Sequence, residues 1–266
     1  MKEFREYAHL LTNLKEVDIA FANEIYDLYK KYYKDVPSHH GFDHVLEVTN
    51  TAIGMFYKLN TEVTYSTDIR AELILAGIGH DVMSFKNRKL HHVMGKQFLI
   101  KNKQISNVAF IKCARLYGRS INIYNAACAI CEHRASYAGE YTSIVSEIIS
   151  AADRGESNII DIVSRINECS LDPKAFINLT SKSDIFIDSL NISLDEYISS
   201  LDILLEHEKR TLHHLYDKYS KNGYARYNDV YKKYYGKQLN EMYDKIEYVL
   251  LNPIALKEIL EYANVK

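Results

Sequence analysis

Three prolines and ten glycines in 266 residues leave little to interrupt helices. Turn signals of the Asn-Gly type between alternating apolar residues, which announce β-hairpins, are almost absent, and Asn222-Gly223 follows a helical pattern. The expectation is an all-α fold. The four cysteines, Cys113, Cys128, Cys131 and Cys169, are too few and too scattered for a disulfide framework. Cys128 and Cys131 form a C-x-x-C, but no second pair completes a zinc site and no strand precedes them, so they are expected to pack on a helix. An apolar run of about 18 residues or more is missing, which excludes a membrane-spanning helix. MKEFREYAHL carries acids where a signal peptide is basic and then apolar, so a cytoplasmic location is expected. The net charge of -2 lacks the footprint of a general nucleic-acid binder. An anionic partner would be met by local cations, which suits a small anion better than a polymer. Walker loops, dinucleotide G-x-G-x-x-G turns and Ser or Cys nucleophile signatures are also lacking, which weakens kinase, dehydrogenase and esterase readings.

What the chain does have centres on Ala71 to Asp81, AELILAGIGHD. Leu73, Ile74, Leu75, Ala76 and Ile78 are apolar on every face of a helix, which predicts a buried central helix. His80 and Asp81 follow it directly. Charge buried beside such a run is costly unless it is paired or coordinates a metal, and a divalent cation is the simplest partner. His44 lies near the start of a second helical stripe marked by Val45, Val48, Ala52 and Met55. Ile148, Ile149, Ala151 and Ala152 run into Asp153 and Arg154, a further small-apolar helix that ends in a carboxylate.

In this order the residues resemble the HD superfamily of metal-dependent phosphohydrolases: a His, a later His-Asp doublet and a final Asp, each on its own helix. The resemblance covers about residues 38 to 155 and maps the pattern onto His44, His80, Asp81 and Asp153. It implies an HD-type helical bundle, to which the helical patterns further along the chain add C-terminal helices. It also implies one or two divalent metals per chain (Mn, Fe, Mg, Zn, Co or Ni), and often an intervening His pair for the second. His91 or His92 stands in one of those places and His133 in the other. Neighbours on a helix diverge by about 100°, so only one of the first two can face a metal. The proximity of the Val93–Met94 turn favours His92 slightly. His39 and His40 in SHHGFDH read as solvated turn residues, although His40 could also serve as a ligand or touch a phosphate.

Lys86, Arg88 and Lys89 follow the doublet closely and either contact substrate phosphate or form a solvated loop. Arg134 is a further candidate to neutralise substrate, and Glu132 or Asp43 could assist proton transfer. Asp81, His92, His133 and Arg88 are the expected catalytic set, with Lys86, Arg88 and Arg134 on the substrate. The resemblance implies hydrolysis of a phosphate ester in a nucleotide or related small metabolite. The sequence HDVMSFKN lacks the acidic residues that follow the doublet in alarmone hydrolases of that superfamily. The alternative is a nucleotide-binding sensor or a protein-interaction module built on the same core. Residues 1–190 are expected to form the metal-binding domain and 191–266 a Tyr/Lys-rich helical extension packed on it. Ser193 and Glu196 predict a capping box at the head of one long helix. Tyr224, Arg226, Tyr227, Tyr231, Lys232, Lys233, Tyr234 and Tyr235 suit packing, an interface or base stacking. A homo-oligomer is left open.

Overall fold

A computed structural model describes residues 2–36, 40–59, 67–87, 89–134, 137, 139–154, 186–187, 192–219 and 228–264. The fold is all-α, as expected. Among the described residues, extended pairing is confined to Phe186–Ile187 against Ile192–Ser193 and a single bridge between Thr67 and Ser120. No described helix is long and apolar enough to cross a membrane.

Two compact units are present, one made of Met1–Gly155 with Asn228–Tyr234, the other of Glu156–Tyr227 with Tyr235–Lys266. The division falls at residue 155 and not near 190. The change of composition at Ser193 therefore lies inside the second unit and does not mark its edge.

In the first unit, α1 is Glu16–Tyr29, α2 Phe42–Leu59, α3 Ile69–Gly79, α4 His91–Lys101, α5 Lys103–Tyr117, α6 Ile123–Glu132 and α7 Ile144–Asp153. The apolar run at residues 73 to 78 is the buried centre, and α3 packs against α1, α2, α5, α6 and α7. Leu73, Ile74, Leu75 and Ile78 are fully buried. Their four side chains contribute roughly 6–12 kcal/mol of transfer free energy before chain entropy is counted. Asp68 starts the helix by accepting from the backbone N–H groups of Arg70 and Ala71. Inside its first turn, buried Glu72 accepts from Thr67 Oγ1, from Asn122 N at 3.0 Å and from Asn125 Nδ2 at 3.2 Å. That network ties the start of α6 to the start of α3, so the two helices run on towards a common end.

Close approach is set by small residues. A Cβ on Gly77 would lie 2.5 Å from Thr49 Oγ1 and 3.1 Å from Thr49 Cα, so α2 and α3 meet there only because the side chain is missing. Gly95 does the same for α4 on α6, where a Cβ would meet Ile130 Cγ2 at 2.7 Å. Gly118 closes α5 in the left-handed region with φ 67°.

In the second unit, α8 is Leu194–Ser200 and α9 Glu206–Tyr219. The expected capping box of Ser193 and Glu196 forms. The single long helix does not, because Leu201 ends α8 and Glu208 recaps the chain by accepting from Leu205 N at 2.7 Å. Helix α11, Pro253–Asn264, packs on α9 through buried Leu212, Leu215, Leu256 and Leu260. Helix α10 is Asp229–Leu251, interrupted at Gly236 (φ 32°, ψ -102°). Tyr231 and Tyr235 are buried, which answers to the packing reading of the tyrosine-rich stretch. Tyr224, Arg226 and Tyr227 lie outside the described residues.

Candidate metal centre

Five helix ends of the first unit deliver the candidate ligands to one place. His44 stands in the first turn of α2, and His80 caps the C-terminus of α3 with Asp81 next to it. His91 opens α4, His133 caps α6, and Asp153 is the last residue of α7. Three of these ends are C-termini, whose orphan carbonyls give the site a negative bias that favours a cation.

The first group of donors forms a nearly equilateral triangle. His44 Nε2 is 3.4 Å from His80 Nε2 and 3.2 Å from Asp153 Oδ1, and His80 Nε2 is 3.4 Å from the same oxygen. Ligands about 2.0–2.2 Å from a common metal are separated by roughly 3.0–3.5 Å in octahedral or tetrahedral arrangements. The triangle has that size, so these residues could hold a divalent cation. A second group faces the other oxygen of Asp81. His91 Nε2 is 3.2 Å from Asp81 Oδ1 and 3.2 Å from His133 Nε2, while His133 Nε2 is 3.9 Å from Asp81 Oδ1. Asp81 Oδ2 looks back to the first group, 3.5 Å from His80 Nε2 and 3.7 Å from His44 Nε2. One carboxylate thus spans both sets of imidazoles.

Backbone carbonyls fix how two of the rings point. His80 Nδ1 donates to Gly77 O at 2.8 Å and His133 Nδ1 to Ile130 O at 2.7 Å, the same step back along two helices. Each bond places the proton on Nδ1 and turns Nε2 into the cluster, as a metal-binding imidazole requires. Burial opposes charge on His80, but Asp81 and Asp153 more than offset it and raise its pKa to about 9. Burial in turn holds His133 down to about 4, so that ring is neutral. Burial disfavours charge on Asp81 and Asp153 as well, yet the imidazoles around them keep both carboxyls well below the usual range. Without a metal, the protonated His80 offsets charge on Asp81 and Asp153.

Solvent reaches the cluster from one side. His80 and Asp81 are sealed (0% and 3% side-chain exposure), whereas His44, His40 and Asp153 are open at 16%, 22% and 23%. His40 belongs to the site: its Nδ1 lies 2.5 Å from Asp81 Oδ2, on the open side. The sequence carried a signal for it in SHHGFDH, four residues ahead of His44, but a His pair before a helix reads more readily as turn chemistry.

The other expected site residues divide. His44, His80, Asp81, Asp153 and His133 are brought together. Of the adjacent pair, His91 faces the cluster, which reverses the preference for His92. The reason is the helix face: His91, Gly95 and Leu99 form the buried stripe of α4 that meets α6, and His92 is turned about 100° away. Burial, then Arg134, lowers the pKa of His92, and its Nδ1 has no hydrogen-bond partner among the described residues. Arg134 Nη1 donates to Lys89 O at 2.8 Å, which places a guanidinium beside His92. Glu132 is occupied elsewhere, since its carboxylate accepts from Thr142 N at 2.9 Å and from Thr142 Oγ1, so it clamps a loop. Asp43 is exposed and pairs with Lys2 at 3.3 Å. Lys86 is exposed with its ammonium 5.6 Å from the Phe85 ring centre, and Arg88 lies outside the described residues. Cys113 and Cys128 are buried and Cys131 partly so, all three as free thiols.

Comparison with family models, with curated proteins and with solved structures finds no match for this chain. The functional reading therefore stands on the geometry of the cluster and on the residue pattern that it realises.

Proposed function

We propose that this chain is a metal-dependent phosphohydrolase of the HD superfamily type, acting on a phosphate ester of a nucleotide or related small phosphorylated metabolite. The observation that carries the reading is Asp81, whose two oxygens face separate donor groups: His44, His80 and Asp153 on one side, His91 and His133 on the other. These residues would hold one or two divalent cations. Nitrogen and oxygen donors without thiolates leave Mn, Fe, Mg, Zn, Co and Ni all eligible. Such cations supply Lewis acidity towards a phosphoryl oxygen and lower the pKa of a coordinated water towards 7.

The protein's own groups do the rest. The carbonyls of Gly77 and Ile130 hold His80 and His133 in the tautomer that presents Nε2 to the site. His40 fixes Asp81 from the solvent side, where substrate has access. Sealed helix ends behind His80 and Asp81 keep bulk water to that one face and strengthen each charge interaction inside. Arg134, which follows His133 at the end of α6, offers positive charge to the oxygens of a departing phosphate.

The test is metal analysis of the purified protein with a Mn-supplemented screen of nucleotides and phosphate esters, run in parallel on Asp81→Ala. One or two metals per chain, with phosphate release lost in the variant, is the expected outcome. A protein that takes up no metal and releases no phosphate from any compound would refute the hydrolase reading and turn attention to a sensor or interaction role.

A further inference from the structure

A second place on the first unit has the chemistry of a binding site. An open groove of about 510 Å³ is lined by Met83 and Lys86 after α3, by Met94, Gln97, Phe98 and Lys101 of α4, and by Asn102 and Lys103 at the start of α5. Its volume falls within the range of small-molecule sites, roughly 300–1,000 Å³. It uses a different face of α4 from the one that carries His91, Gly95 and Leu99 into the core. At about 1.5 Å per residue, Lys101 stands some 15 Å along the axis from His91, too far for one phosphate to touch both.

The lining is asymmetric in charge. Lys86, Lys101 and Lys103 all border the groove and no carboxylate does. None of the three lysines has an ion-pair partner among the described residues, although Lys112 and Lys30 elsewhere in the same unit do. Three uncompensated cations around a concave surface raise the local concentration of anions. Between them lies a soft apolar floor. Phe98 is held edge-on against Tyr32, ring centres 4.8 Å apart at 78°, and Tyr32 is pinned in turn by Asn102 Nδ2 at 3.1 Å. Met83 and Met94 flank the ring with polarizable, adaptable side chains. A fixed aromatic ring among lysines is the combination that stacks a base while it holds phosphates.

We propose that this groove binds a nucleoside triphosphate, with the phosphate chain on Lys101 and Lys103 and the base against Phe98, at a site separate from the metal centre. The test is equilibrium dialysis of the full chain against ATP, inorganic triphosphate and adenosine in the presence of a chelator, so that the result does not depend on metal chemistry or on hydrolysis. ATP is expected to bind, triphosphate more weakly, and adenosine least. The double variant Lys101→Glu/Lys103→Glu is expected to lose tenfold or more in ATP affinity while keeping its helical circular dichroism and its metal content. An ATP affinity unchanged by that variant, or ATP binding that the chelator abolishes, would overturn the proposal. Triphosphate bound as tightly as ATP would overturn the assignment of the base. Each of these results reads the same whether or not the metal centre hydrolyses a phosphate ester.

Discussion

Raising the pH from 7 to 9 should tighten metal binding by about fiftyfold, and the cause is a single imidazole. Without metal, the carboxylates of Asp81 and Asp153 overcome the effect of burial and hold the His80 pKa at about 9. Its Nε2 therefore carries a proton at pH 7 at the position where a cation would sit. His133, held down to about 4, imposes no such cost. A cation entering at pH 7 must expel the His80 proton, a penalty of two pH units or about 2.7 kcal/mol, and at pH 9 that penalty has nearly gone. The same shift acts on the metal-free fold with the opposite sense. A pKa raised in the folded state stabilises it fully below the unfolded value of about 6.5, and that contribution is lost as pH rises through about 9. The metal-free protein should thus weaken between pH 6.5 and 9 while the loaded protein holds. At about 2–4 °C per kcal/mol, the gap in Tm between Mn-loaded and chelated protein should widen by roughly 5–9 °C. Differential scanning fluorimetry at both pH values reads the gap, and calorimetric titration in two buffers of different ionisation enthalpy counts the proton. A Tm gap independent of pH, or binding at pH 7 without proton release, would refute the reasoning.

The choice between neighbours on α4 is tested by His91→Ala, which should lower metal per chain, against His92→Ala, which should not; the reverse pattern in elemental analysis would contradict the geometry. His40→Ala should leave metal bound but slow turnover by about 10–100-fold, the usual cost of removing a group that orients a ligand, and unchanged kcat would remove His40 from the site. Gly77→Ala should cost about 1–3 kcal/mol, because the new methyl group meets the Thr49 side chain and backbone across α2 and α3. That loss is read as a Tm lowered by roughly 2–12 °C, and an unaltered Tm would show that the helices can part there without penalty.

Much of this was legible in the chain because helical period and burial leave a one-dimensional trace. A run apolar on all faces can only be a central helix, and Ala71 to Gly79 became one. The scarcity of proline and glycine dictated helices, Gly118 ended one, and Ser193 with Glu196 began another. Polar residues stranded at the ends of apolar runs, His80, Asp81 and Asp153, announced themselves as a site because local sequence offered them no partner. What stayed hidden depended on rotation and on distant contacts. Whether His91 or His92 turns inward is set by which stripe of α4 docks on α6, and the close approach of Gly95 to Ile130 is part of that contact. His40 joins Asp81 across 41 positions of sequence, a pairing that no local pattern encodes. The boundary at residue 155 likewise follows from which segments pack together, and Asn228–Tyr234 packs with the first unit despite lying in the tail. The sequence by itself determined the helices and the kinds of ligand; the tertiary structure alone decided which ring faces which oxygen, since helix rotation and docking are fixed by side chains far apart in the chain.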